Sequence, residues 1–321
     1  MSKLHITHLV FSGGGMHGVM YIGALRYLYL EGLLKNVTHV AGTSIGSFIG
    51  LFVALKLNMD EIETIMYNVL YKEDFNFIPR KNYLKLVSNL GLTSTKTITQ
   101  ELKNVLKSKY DIEDITFREL AQRFGINMYI SATNIISCTN TVFSVDTTPD
   151  LSVLTASEAS MSIPFLYIPV IIDDIHYYDG GLSNNFPVKI FSNVPQENIL
   201  GMVLHKENKP SDDAAKETVN IFFLAKQIFN ILNAFRVKEV TYRQLDCINN
   251  LYIPDNIPFK NFMNFKVSTQ GIKLEITTDD INAMIYAGFD SMHKYMETRL
   301  QKVEEQNNKL LIQADTKDIS T

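Results

Sequence analysis

The stretch FSGGGMHG at residues 11–18, followed by GTSIG at residues 42–46, decides the fold of this chain. Each glycine-rich turn follows a short β-rich segment, residues 6–11 and 37–41, and precedes a helical pattern of apolar residues. Strand, glycine turn, helix, strand, serine turn and helix in this order predict an α/β fold with a mostly parallel central sheet and helices on both faces. Ligands of such sheets bind at the carboxyl ends of the strands, where both turns fall.

The second turn carries a serine, Ser44, between Gly42 and Gly46. A serine at the tip of a sharp strand-to-helix turn needs neighbours without a Cβ, because strand and helix crowd there. The N-terminus of the following helix favours the negative charge that develops when a serine attacks. The pattern therefore predicts Ser44 as a nucleophile, although Gly-x-Ser-x-Gly also arises by chance.

The first turn can present adjacent backbone N–H groups to a negatively charged oxygen. Glycine lets the backbone approach a ligand closely and adopt positive φ. N–H groups that converge on an oxyanion stabilise the transition state of acyl transfer. The residues predicted to form this oxyanion hole are Gly13, Gly14, Gly15 and Met16.

The same turn also matches the dinucleotide-binding pattern G-x-G-x-x-G, at Gly13, Gly15 and Gly18. That pattern requires an acidic residue at the end of the second strand to hold a ribose hydroxyl. Here the second strand ends in Ala-Gly-Thr-Ser, residues 41–44, without a carboxylate. Nucleotide binding is therefore the less favoured interpretation of this turn.

A third motif, Asp179-Gly180-Gly181, directly follows the β-rich residues 175–178. An aspartate with an unperturbed pKa near 3.9 is a poor base for a serine. It can act as one when it is partly desolvated and hydrogen-bonded directly to the serine hydroxyl, and the two glycines permit that close packing. Asp179 is therefore the predicted base, with a hairpin turn as the purely structural alternative for Asp-Gly-Gly.

The three motifs, residues 13–18, 42–46 and 179–181, resemble in order and spacing the patatin-like phospholipase family. Residues 156–164, followed by residues 167–170, are similar to the helix and strand that precede the catalytic aspartate of that family. The resemblance covers roughly residues 6–205.

This resemblance implies a three-layer α/β/α fold and hydrolysis of lipid acyl esters through an acyl-enzyme. It implies a Ser–Asp dyad without a catalytic histidine, in which Ser44 is the nucleophile and Asp179 accepts its proton. No metal or cofactor is needed for this chemistry, and the expected partner is a lipid or a membrane surface. The family usually has Arg or Lys where this chain has His17; since histidine is mostly neutral at pH 7, headgroup preference is left open.

Two alternatives remain at this point. One is an α/β-hydrolase with a Ser-His-Asp triad, for which His205, after a predicted strand, is the best histidine. The early position of the serine disfavours it, since that fold places several strands before its nucleophile. The other is a catalytically silent lipid-binding module that keeps the motifs.

Composition sets broader limits. The chain has 321 residues, 46% of them hydrophobic, and a net charge of −4. This charge disfavours nucleic acid as a partner, because phosphate binding needs a clustered basic surface. Cys138 and Cys247 have no metal-ligand spacing and are predicted to be buried, reduced thiols. No signal peptide or transmembrane run is recognisable, so we expect an intracellular, cytoplasmic protein that acts peripherally at membranes. The oligomeric state is not predicted.

We predict one domain over residues 1–303, with the motif-bearing core at 6–205 and a helical part at 206–303. The polar residues 304–321 are predicted to be a flexible tail. The apolar run at residues 219–237 is interpreted as a core helix or as an amphipathic helix at the mouth of the site. Phe75, Phe77 and Ile78 are candidates for covering that mouth.

Overall fold

The computed structural model describes residues 4–71, 77–79, 85–205, 247–252, 265–267, 271–274 and 276–318. Its α-helices are α1 (Val19–Leu30), α2 (Ile45–Ala54), α3 (Met59–Tyr71), α4 (Lys85–Ser88), α5 (Lys96–Tyr110), α6 (Phe117–Phe124), α7 (Val153–Ser160) and α8 (Thr278–Asp318). Its strands are β1 (His8–Phe11), β2 (His39–Thr43), β3 (Phe77–Pro79), β4 (Gly91–Thr93), β5 (Asn127–Asn134), β6 (Thr139–Ser144), β7 (Phe165–Tyr167), β8 (Val170–Ile172), β9 (Ile175–Asp179), β10 (Ile199–His205), β11 (Ile248–Tyr252), β12 (Phe265–Val267) and β13 (Gly271–Leu274).

The central sheet has the strand order β11-β10-β1-β2-β5-β9-β8, and β6 also pairs with β5. The strands from β11 to β5 are parallel to one another. The pairs β5–β6, β5–β9 and β8–β9 are antiparallel. The predicted α/β fold with a mostly parallel sheet is confirmed.

Side chains of β1 alternate between two hydrophobic clusters, as a strand buried on both faces requires. Leu9 and Phe11 belong to the larger cluster, which also contains the inward side chains of the α-helices. Val10 belongs to a smaller cluster with Phe186 and Phe191, around the 3₁₀-helix Val188–Phe191. Helical segments thus flank the sheet on both faces, and the carboxyl ends of its strands stay free for a site.

Strand register brings the second and third motifs together. Thr43, the last residue of β2, pairs with Ser131 of β5. The next residue of β5, Ala132, pairs with Asp179 at the end of β9. Because β9 runs against β5, its last residue reaches the carboxyl end of β2 from the opposite direction. Ser44 and Asp179 therefore meet at the carboxyl ends of the parallel strands, although they are far apart in the sequence.

The C-terminal part differs from the predicted helical segment and tail. Strand β11 extends the central sheet beside β10, and β12 and β13 form a small antiparallel sheet with β3. Helix α8 continues from Thr278 to Asp318, past residue 303, because its polar end is rich in helix-forming Lys, Glu, Gln and Leu. Residues 219–237 and Phe75 lie outside the described residues, as do the side chains of Phe77 and Ile78.

Two further expectations concern cysteines and membrane spans. Cys247 is buried as predicted, whereas Cys138 is exposed in the turn between β5 and β6, which corrects the prediction of two buried thiols. Within the described ranges, no helix combines the length and the apolar character needed to cross a bilayer.

Candidate active site

Ser44 forms the tip of the turn between β2 and α2. Its backbone has φ of 53° and ψ of −130°, a conformation that is strained for a residue with a side chain. A Cβ on Gly46 would lie 2.6 Å from the carbonyl oxygen of Ser12 and 2.7 Å from that of Phe11. A Cβ on Gly42 would lie 2.5 Å from the Gly46 carbonyl oxygen. The two glycines therefore allow α2 to begin directly against β1 and β2, which fixes the position of the serine.

The Ser44 hydroxyl donates a hydrogen bond to the Asp179 carboxylate, with 2.5 Å between Oγ and Oδ2. Ser44 is 3% exposed and Asp179 is fully buried. The other carboxylate oxygen, Oδ1, accepts the N–H of Gly181 at 2.7 Å. Gly180 packs so tightly that a Cβ there would lie 2.1 Å from the Ser131 carbonyl oxygen. The Asp-Gly-Gly motif thus holds the carboxylate against the serine.

Burial controls the charge of this carboxylate. Loss of solvation raises the pKa of Asp179 to about 7, and the hydrogen bonds from Ser44 and the Gly181 N–H oppose this rise. Burial and the neighbouring Asp179 also raise the pKa of Tyr167. A carboxylate that titrates near neutral pH is a far better proton acceptor than one with an ordinary pKa.

The glycine turn supplies free N–H groups, but not from all four predicted residues. The N–H of Gly13 donates to the Asn185 carbonyl oxygen at 3.0 Å, so this amide is removed from the predicted oxyanion hole. Gly15 has φ of 53° and begins the 3₁₀-helix Gly15–Gly18, whose first N–H groups have no intrahelical acceptor. In the described part of the chain, no acceptor is recorded for the N–H of Gly14, Gly15 or Met16.

A largely apolar cavity, partly open to solvent, extends from Ser44. Its lining residues are Gly15, Met16, Val19, Ser44, Ile45, Met66, Val69, Leu70, Ile98, Met161, Ile163 and Tyr167. The cavity therefore connects the glycine turn and the serine to space that suits a hydrocarbon chain.

Sequence reasoning missed three residues at this site. Ser160, at the end of α7, accepts the Ser44 N–H at 2.8 Å and donates to the Ser131 carbonyl oxygen at 2.6 Å. Asn185 holds Gly13 through its carbonyl oxygen and, at 3.4 Å, through its Nδ2. Ile45 follows the serine and lines the cavity. Of these three residues, only Ile45 could have been predicted from the sequence, because the residue after a nucleophile often contributes an N–H to the oxyanion hole.

The remaining motif residues are also placed around the turn. His17 is buried in the 3₁₀-helix with 4% exposure. Gly18 packs against Ile45, where a Cβ would lie 2.4 Å from Cγ1. Within the residues that the structure covers, no group of three or more His, Cys, Asp or Glu side chains is arranged to hold a metal ion.

The model of the patatin-like phospholipase family matches residues 9–192, more than half of the chain. The chain belongs to the patatin-like phospholipase family. The predicted membership of a family of lipid acyl hydrolases is thereby confirmed.

Two relatives and one solved structure are similar to this chain. An uncharacterized protein of Acanthamoeba polyphaga mimivirus is 27% identical over 226 residues, which make up 69% of this chain and 73% of that protein. A probable lipid hydrolase of Invertebrate iridescent virus 6 is 31% identical over 193 residues, 57% of this chain and 62% of that protein. VipD from Legionella pneumophila has a similar fold, with a TM-score of 0.56 and 17% identity over 92% of this chain and 67% of VipD.

Proposed function

We propose that this chain hydrolyses carboxylic esters of lipids through an acyl-enzyme on Ser44. The observation that carries this proposal is the direct 2.5 Å hydrogen bond from the Ser44 hydroxyl to the buried carboxylate of Asp179. The apolar cavity that starts at Ser44 supports a fatty acyl group as the part of the substrate that is bound. A glycerolipid ester has such an acyl group and the reactive carbonyl.

In the first half-reaction, Ser44 Oγ attacks the ester carbonyl carbon while Asp179 Oδ2 takes the hydroxyl proton. The carbonyl oxygen becomes an oxyanion, which the N–H groups of Gly14, Gly15 and Met16 stabilise. The bond to the leaving alcohol then breaks, and Asp179 returns the proton to the alcohol oxygen. In the second half-reaction a water attacks the acyl-enzyme, Asp179 takes a proton from it, and Ser44 regains its proton as the fatty acid leaves.

Contacts of Asp179 support a dyad and disfavour a Ser-His-Asp triad. A triad places an imidazole between the serine and the carboxylate. Here Oδ2 binds the Ser44 hydroxyl directly, and Oδ1 is occupied by the Gly181 N–H. His205 ends β10, and its side chain lies outside the described residues.

The proposal includes an intracellular site of action at the periphery of a membrane. Neither Cys138 nor Cys247 forms a disulfide bond, which suits a reducing compartment.

A fluorophosphonate probe tests the nucleophile directly. We expect the probe to add one phosphonyl group to the chain, on the peptide that contains Ser44. Hydrolysis of p-nitrophenyl butyrate should fall in proportion to the fraction of chains that are labelled. Phosphatidylcholine vesicles and an emulsified triacylglycerol, assayed in parallel, establish which lipid esters are cleaved. Labelling of a different serine, or full hydrolysis after complete labelling of Ser44, would contradict the proposal.

Ser160 is expected to act as a positioning residue. Ser160→Ala leaves the buried Ser44 N–H without an acceptor, which costs about 1–3 kcal/mol, and frees the turn from β5. We expect kcat for p-nitrophenyl butyrate and the rate of fluorophosphonate labelling to fall about 10-fold, with little change in KM.

Ser162→Ala is the matched control for Ser160→Ala. Ser162 is also fully buried, but its hydroxyl donates to the Glu158 carbonyl oxygen at 2.8 Å and not to the turn. Equal losses of kcat in the two variants would mean that Ser160 acts only through general stability.

A further inference from the structure

Two large apolar side chains are exposed at the start of the paired strands β4 and β7. Leu90 is 51% exposed and Phe165 is 42% exposed. Leu90 immediately precedes β4, and Phe165 begins β7. The two strands pair in parallel, with Gly91 opposite Phe165, so Leu90 and Phe165 lie at the same end of this small sheet. We call this pair of residues the apolar tip.

Leu90 and Phe165 each combine an exposed apolar side chain with an unfavourable backbone conformation. Leu90 has φ of 60° and Phe165 has φ of 69°, in the left-handed region where glycine and asparagine are preferred over bulky residues. A large side chain there costs of the order of 1 kcal/mol or more. The exposure of two such large apolar side chains is explained when a partner covers them.

The turn that carries Phe165 connects the apolar tip to the cavity. Phe165 is the second residue after Ile163 in a tight turn, in which the N–H groups of Leu166 and Tyr167 donate to the Ile163 carbonyl oxygen at 3.2 and 2.9 Å. Both ends of this turn, Ile163 and Tyr167, line the cavity that reaches Ser44. The hydroxyl of Tyr178 donates to the Leu90 carbonyl oxygen at 3.3 Å and ties the other strand to β9.

The segments that carry the apolar tip contain no charged residue. Neither residues 86–95 nor residues 159–172 include Asp, Glu, Lys or Arg. Transfer of a charged side chain into hydrocarbon is costly, whereas uncharged apolar segments enter the interface readily. The rim of a protein–protein interface is normally polar, and no charged side chain of these segments supplies such a rim. The charge pattern therefore favours a lipid surface over a protein as the partner.

We propose that Leu90 and Phe165 insert into the surface of a lipid aggregate and place the cavity entrance against it. An acyl chain then passes from the lipid phase between Ile163 and Tyr167 to Ser44 without crossing water. Because the segments are uncharged, the attraction is hydrophobic and does not require anionic lipid. This inference rests on the proposed function, since it assumes that the cavity receives acyl chains.

The test is the double variant Leu90→Asn, Phe165→Asn, because asparagine tolerates the left-handed conformation and should not lower the melting temperature. Binding is measured by co-sedimentation with phosphatidylcholine vesicles in a Ser44→Ala background, so that the vesicles are not consumed. We expect vesicle binding to fall about 10-fold or more, from the apolar area withdrawn from the lipid. High salt should leave binding of the parent protein unchanged. With Ser44 intact, the ratio of activity on vesicles to activity on p-nitrophenyl butyrate should fall similarly.

Leu30→Asn is the matched control. Leu30 is 67% exposed and ends α1, about 18 Å along that helix from the glycine turn. Unchanged vesicle binding by the double variant, an equal loss in Leu30→Asn, or binding that needs anionic lipid and disappears in high salt would each overturn the inference. Failure of the proposed function has a separate signature, because fluorophosphonate labelling of Ser44 does not depend on vesicles.

Discussion

Ser44→Ala and Asp179→Asn are each expected to lower kcat/KM for p-nitrophenyl butyrate by about 1,000-fold or more. Ser44→Ala removes the oxygen that forms the acyl-enzyme. Asp179→Asn keeps the shape of the side chain and an acceptor for the serine hydroxyl, but an amide cannot take the proton. Since the two groups act as a unit, the double variant should lose little more than either single variant.

His205→Asn is the control that separates a dyad from a triad. The variant should keep the activity of the parent protein if Asp179 takes the serine proton directly. A folded His205→Asn protein as inactive as Asp179→Asn would restore the triad interpretation. Near-full activity of Asp179→Asn would remove Asp179 from the mechanism.

The raised pKa of Asp179 also predicts two opposite pH dependences. Asp179 must be ionised to act as a base, and burial raises its pKa to about 7. The logarithm of kcat/KM should therefore rise with pH below about 7 and level off above it. A rise centred near the ordinary pKa of 3.8 would contradict the role of burial.

The free energy of unfolding should fall as pH rises, whereas kcat/KM rises. Between the unfolded pKa of 3.8 and the folded pKa of about 7, the folded state holds a proton that the unfolded state has lost. The contribution of this proton to the free energy of unfolding is fully present below pH 3.8 and is lost as pH rises through about 7. The contribution amounts to a few kcal/mol. Urea unfolding at acidic and mildly alkaline pH should show the loss in the parent protein and a smaller one in Asp179→Asn.

Gly46→Ala is expected to destabilise the protein by about 3 kcal/mol and to abolish hydrolysis of p-nitrophenyl butyrate. The new Cβ would lie 2.6 and 2.7 Å from the carbonyl oxygens of Ser12 and Phe11. Both are backbone atoms at the end of β1, so neither can rotate away. Relief of the clash requires α2 to move from the sheet, and Ser44 moves with it. Urea unfolding and esterase activity measure the two effects.

Gly50→Ala provides a control in the same helix. Its Cβ would meet side-chain atoms only, Met128 Cε and Val40 Cγ1, both at 2.9 Å. The methionine end is flexible, and alanine gains about 1 kcal/mol of helix propensity over glycine. Val40 is buried and β-branched and can move little, so Gly50→Ala should lose some stability, but less than Gly46→Ala, and should keep most of its activity. A loss as large as that in Gly46→Ala would show that α2 tolerates no added volume at all.

Local patterns in the sequence predicted the parts of the site that depend on local conformation. The glycine turn, the Ser44 turn and the Asp-Gly-Gly motif each need a special backbone, and that need is visible in a few neighbouring residues. The capping box that begins α6, formed by Thr116 and Glu119, is a local feature of the same kind.

Contacts between distant segments could not be predicted in this way. Ser160 reaches the Ser44 N–H across 116 residues of sequence, and nothing around it distinguishes its hydroxyl from that of Ser157 or Ser162. The Gly13 N–H was wrongly predicted to be part of the oxyanion hole. Its acceptor, the Asn185 carbonyl oxygen, comes from a loop far along the chain and could not be foreseen from the residues around Gly13. Strand β11 was missed because its membership of the sheet depends on β10 and not on its own pattern.

The opposed direction of β9 has a consequence for how the protein is made. Ser44 and Asp179 are 135 residues apart, and Asp179 reaches Ser44 only when β9 has paired with β5. A ribosome delivers the first half of the sheet well before it delivers this strand. A growing polypeptide that has not yet reached β9 therefore carries Ser44 without the carboxylate of Asp179, so the proposed dyad is incomplete. The proposed dyad can form only once the chain has grown past residue 179 and β9 has paired with β5.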